Sequence, residues 1–82
     1  MSFLYATGPA SFAEVVTPSD TTDLSRTSRA LFVGGAGNIS VEMAGGQSAV
    51  VFTGVVAGQI LPIAVTRVNS TSTTATNIVA IA

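Results

Sequence analysis

The sequence predicts an all-β fold: a small antiparallel β-sandwich or jelly-roll-like barrel of five to six short strands, with an extended N-terminal arm. Three observations predict it. From Ala30 onward apolar residues recur with the period of strands. Breaks rich in Gly, or in Ser and Thr, interrupt them at intervals of roughly ten residues, the spacing of small all-β domains. No stretch carries helical periodicity for longer than about one turn. The division this implies is an arm over residues 1–29 and a β module over residues 30–82.

Along the arm, residues 1–12 hold Phe3, Leu4, Tyr5 and Phe12 around a Gly8-Pro9 turn signal. Exposed aromatics are costly in a tail and enriched at interfaces, so Phe3, Tyr5 and Phe12 are expected to grip a neighbour. Residues 13–29 contain Pro18 and a Ser/Thr/Asp cluster, with Asp20, Asp23, Arg26 and Arg29 spaced three apart. Thr21, Thr22, Thr27 and Pro18 are poor helix formers, which predicts an extended linker with at most one turn.

In the module, Ala30–Val33 reads as a buried strand closed by Gly34-Gly35-Ala36-Gly37-Asn38, taken as a hairpin turn. Ile39, Val41 and Met43 alternate with Ser40, Glu42 and Ala44, the pattern of a strand with one covered face. Gly45-Gly46 signals a hairpin to a strand at Ala49–Phe52, and Gly54 and Gly58 bracket another turn. Ile60–Val68 reads as one strand in which Pro62 implies an edge or a bulge. A polar loop at Asn69–Thr74 leads to a final strand from Thr76 to Ala82.

Charge is partitioned unevenly. Five of the seven charged residues lie in the first 29 positions (Glu14, Asp20, Asp23, Arg26, Arg29), and only Glu42 and Arg67 follow. A soluble domain normally carries charge on about a quarter of its residues. A module this poor in charge is expected to be covered by copies of itself or by a larger partner. Size points the same way, because a domain of this length is marginal without disulfides, a metal or oligomerisation. The chain has no cysteine and no histidine, so oligomerisation is the support left.

The same inventory excludes other classes. Three arginines and a net charge of −1 cannot build a nucleic-acid-binding stripe. Mean hydropathy is +0.63, yet no apolar run approaches the ~18 residues of a membrane-spanning helix. Gly34–Gly37 is followed by no Lys-Ser/Thr pair, so it is no phosphate loop. Without histidine or lysine a serine nucleophile lacks its usual base, and no two carboxylates sit on rigid elements at fixed separation. No catalytic residue, cofactor or metal site is expected. Glu42 and Arg67 are expected to face each other across a sheet; the alternative takes Arg67 to an acidic partner, or to Asp20 or Asp23 of a neighbouring copy. Arg26 and Arg29, at the junction of arm and module, are candidates for locking onto an adjacent subunit.

A resemblance adds to this reading over residues 15–82. Its most specific pieces are Pro18-Ser19-Asp20-Thr21-Thr22-Asp23-Leu24, Arg29-Ala30-Leu31, Val33-Gly34-Gly35-Ala36-Gly37 and Gly58-Gln59-Ile60-Leu61-Pro62. The stretch Val65-Thr66-Arg67-Val68-Asn69 and the later Thr74-Ala75-Thr76 complete it. These resemble small phage and prophage virion proteins, namely the head-spike base proteins of gene transfer agents. The resemblance implies a non-enzymatic virion protein on the outer capsid surface, a decoration or cement protein or a spike base. Its partners would be the major capsid protein, its own copies as a homotrimer or homopentamer, and a spike or fibre protein, with no nucleic acid and no membrane. A tail- or fibre-associated subunit is the alternative within that class. A carbohydrate-binding module is the alternative outside it, disfavoured because the chain has no Trp and its one Tyr lies in the arm.

Overall fold

A computed structural model describes residues 9–82. Seven strands form: β1 (Ala13–Val15), β2 (Ala30–Gly35), β3 (Gly37–Met43), β4 (Val50–Val55), β5 (Gln59–Leu61), β6 (Val65–Asn69) and β7 (Thr76–Ile81). They make two antiparallel sheets, one of four strands in the order β1-β7-β2-β5 and one of three in the order β4-β3-β6. The all-β class read from periodicity is the class found, and no helix forms among the described residues.

Alternation decides what each sheet buries. Leu31 and Val33 of β2, Ile78 and Ala80 of β7 and Leu61 of β5 point inward from the four-stranded sheet. Ile39 and Val41 of β3, Val65 and Val68 of β6 and Val55 of β4 meet them from the other. Together they form a single core, as a two-layer sandwich requires. The intervening residues face outward. On the four-stranded sheet Val15, Val79, Phe32 and Ile60 are successive cross-strand partners and line up as one apolar row. Val15 and Ile60, at the two ends of that row, are exposed.

Gly34–Gly37 is a corner between sheets, which corrects the hairpin expectation. β2 pairs with β7 and β5, while β3 pairs with β4 and β6. Glycine serves here through close approach. A Cβ on Gly34 would lie 2.8 Å from the Cβ of Asn77 and 3.0 Å from its carbonyl oxygen, and one on Gly35 would collide with the hydroxyl of Thr76. A hairpin turn and a tightly packed corner ask for the same residue type, so composition alone cannot separate them. Pro62 has a similar role. The expected single strand Ile60–Val68 divides into β5 and β6, one in each sheet, because the chain leaves its ladder at a residue without an N–H. The hairpin at Gly45-Gly46 does form, with Gly46 N–H donating to Met43 O at 2.9 Å.

The largest departure concerns residues 13–29, expected to stand apart as an arm. β1 lies at the edge of the four-stranded sheet, with Ala13, Glu14 and Val15 opposite Ile81, Ala80 and Val79. The segment 16–29, the strap, then crosses to the other sheet and runs along the outer edge of β6. Ser19, Leu24 and Ser28 N–H groups donate to the carbonyls of Val68, Thr66 and Val65 at 2.9–3.0 Å. Val16 is buried with the core and Leu24 packs against it. The buried Ser28 hydroxyl donates to Ile63 O at 3.0 Å and accepts from Val65 N–H at 3.1 Å, tying the strap to the β5–β6 crossing. An apolar side chain at a fixed pitch, and backbone groups with an unfilled edge to bind, hold this segment where composition suggested freedom.

A strap that belongs to the core makes Val16→Ala costly. Truncation of this buried side chain is expected to lower unfolding free energy by about 1–3 kcal/mol, read as a shift of the urea midpoint. A segment free of the module would give no shift.

Candidate partner-binding surfaces

The outer face of the three-stranded sheet carries the polar residues of the module. β3 offers Ser40 and Glu42 and β6 offers Arg67 and Asn69, with Ser40 opposite Asn69 and Glu42 opposite Arg67. Asn69 Nδ2 donates to Ser40 Oγ at 3.2 Å and to Glu42 Oε2 at 3.0 Å. Glu42 Oε2 also accepts from Ala49 N–H at 3.0 Å and Ser48 Oγ at 3.2 Å, which pins the β3–β4 connection. Ser40, Glu42, Arg67 and Asn69, with Asp20, Ala49, Val51, Thr71 and Ser72, line a shallow concavity of about 280 Å³.

The predicted site residues divide into groups. Phe3 and Tyr5 lie outside the described residues. Asp20 sits on the strap and closes the β6–β7 loop: Oδ1 accepts from Ser70 and Thr71 N–H, each at 3.0 Å, and Oδ2 from Thr71 Oγ1 at 2.6 Å. Asp23 receives Arg67 Nε at 2.8 Å, and Arg67 also donates to Asp20 O at 3.2 Å. Arg67 is thus opposite Glu42 in register, as one reading had it, yet its ion pair is with Asp23 of its own chain. The strap brings Asp23 to the guanidinium, and strand periodicity could not reveal that. Arg26 lies 3.9 Å above the ring centroid of Phe12, a cation–π contact at the opposite end of the strap. Arg29 is half-buried, and its N–H donates to Ile81 O at 2.7 Å where β2 begins.

Hydrogen bonds set the two carboxylates. Thr71, through its hydroxyl and its N–H, and then Ser70 hold Asp20 below the ordinary 3.8. Asn69, then Ser48 and Ala49, with the charge of Arg67 as a smaller contribution, hold Glu42 below the ordinary 4.5. The arrangement orients the β3–β4 and β6–β7 connections. Among the described residues no group of three or more acidic side chains is placed to hold a metal ion.

Two surfaces escaped the site list read from sequence. One is the apolar row Val15–Val79–Phe32–Ile60, whose members come from four separate stretches and meet only through strand order. The other is the outer edge of β4, which carries no charge. A signal for the second was present, because the 24 residues from Met43 to Thr66 contain no charged residue.

The chain is similar to one in the solved capsid of a native gene transfer agent (GTA) particle computed with C5 symmetry. The two are 37% identical with a TM-score of 0.80, and the match covers 100% of this chain and 99% of that one. No protein-family model matches the chain, and no curated protein does.

The lowered carboxylates give a pH dependence. Each has a folded pKa below its unfolded one, so its contribution is present in full above the unfolded value. It is lost as pH falls through the folded value. Urea midpoints are expected to be level from pH 7 to about 5 and to fall below about 4. The pair Asp20→Asn and Glu42→Gln should flatten that acid limb, and an equally steep limb in the double variant would contradict these contacts.

Proposed function

Since the chain belongs to the family of the GTA capsid protein that it matches from end to end, we propose that it is a non-enzymatic subunit on the outer surface of a tailed-phage-type capsid. Its place in a virion as a capsid-associated structural protein follows from the family. The finer role is decoration or cement protein or spike base, with self-association and binding to the shell. The observation that carries this reading is the similarity over both whole chains, 37% identical with a TM-score of 0.80.

Surface physics supports it. A lone domain with an apolar row across one face and a long uncharged edge on the other layer leaves apolar surface in water that association would remove. Self-association as a homotrimer or a homopentamer would cover these surfaces. The major capsid protein is the partner the shell would supply, and a spike or fibre protein the one a vertex site would carry. The polar network of Glu42, Asn69, Asp20 and Arg67 holds loops in place, in keeping with a structural subunit.

Particles made with and without this chain test the reading. Those lacking it are expected to lose surface projections in negative-stain images or to disrupt at lower temperature. Particles unchanged in both respects would overturn it.

A further inference from the structure

A sheet edge presents unpaired N–H and C=O groups, and proteins that stay apart shorten it, charge it, block it with proline or cover it. Three of the four edges here are treated in these ways. The strap covers β6. β1 is three residues long and carries Glu14. β5 is three residues long and is followed at once by Pro62. β4 is different. It has six residues, Val50–Val55, without charge or proline, and Val51 is 44% exposed. Among the described residues its strand residues hydrogen-bond only to β3.

We propose that the β4 edge receives, as an added strand, residues Ser2–Thr7 of a second copy. This names a surface and an occupant for the self-association in the reading above, and rests on that reading. Ser-Phe-Leu-Tyr-Ala-Thr matches the edge in length, six residues to six, and in charge, none to none. It contains no proline, and Phe, Tyr and Thr favour strands. In an added strand Phe3 and Tyr5 share a face, which accounts for aromatics near the chain's start.

Geometry assigns the segment to another copy. Pro9 precedes residues bonded to Ala82, beside β1 and β7, and the strap continues from there along β6. β4 and β5 lie at the opposite flank, joined by residues 56–58. Only Gly8 separates Thr7 from Pro9, whereas the span from β1 to β5 is three strand spacings, about 14 Å. One residue reaches at most about 3.6 Å, so Ser2–Thr7 of the same copy does not lie along β4. A neighbour's segment meets no such limit. Donor and acceptor on opposite flanks make a head-to-tail contact, the kind that generates a ring where the rotation between copies closes.

The test uses full-length chains in sedimentation velocity. Val51→Lys charges the edge and keeps the N-terminal segment; Phe3→Ser with Tyr5→Ser weakens the segment and keeps the edge. Each variant is expected to self-associate about tenfold more weakly or worse. Mixing the two should restore one-to-one complexes, because each supplies the half the other lacks. The inference falls if the wild-type chain is monomeric, if the Phe3/Tyr5 variant assembles normally, or if mixing forms no heterodimer. Circular dichroism of each variant alone checks that it is folded. Binding of the wild-type chain to capsids is measured separately. Binding with unaffected assembly sinks this inference alone, whereas no binding removes the capsid role itself.

Discussion

The strap's hydrogen bonds to β6 are the contact on which the rest of the sandwich depends. Without them the three-stranded sheet would have two open edges and the core would lack a wall at Val16 and Leu24. The backbone donors of Ser19, Leu24 and Ser28 meet carbonyls that no strand could reach, since β6 is last in its sheet. An irregular segment thereby does the work of a fourth strand, and the Ser19 hydroxyl, accepting from Thr21 and Thr22 N–H, stabilises a bend that a regular strand would not make.

The two outer faces then differ in kind. One is a polar mesh in which Glu42, Asn69, Ser40, Arg67 and Asp20 bond mostly to each other and to loops. The other is apolar across four strands. Scarcity of charge is therefore not uniform. The few charges present hold loops and strap in position, and the apolar row and the β4 edge carry none. Exposed ion pairs such as Arg67–Asp23 contribute little each, about 0–1 kcal/mol. Their value lies in fixing which segment covers which edge.

Much of the fold was legible because alternation is local. Ile39, Val41 and Met43 identified β3, Gly45-Gly46 identified its hairpin, and Ile78 to Ile81 identified the final strand. What failed was non-local. Three residues, Ala13–Val15, are too few to show a period, and only β7 makes them a strand. Gly34–Gly37 looked like a hairpin because the demand for a small residue came from Asn77 and Thr76, some forty positions away. For the site, the sequence offered Asp20 and Asp23 as partners for Arg67 of a neighbouring copy. Ser70, Thr71 and Arg67 of the same chain are the ones they meet, since the strap's path is set by an edge that periodicity does not describe.

The clasp between the chain's two ends has a consequence in time. Ser11 and Phe12 N–H groups both reach Ala82 O, and Ala82 N–H returns to Phe12 O at 2.7 Å. β1 waits for β7, and the strap waits for β6. During synthesis Ala13–Val15 has no partner strand until Thr76–Ile81 has been made. Closure over so long a separation places this domain among the slower-folding small β topologies.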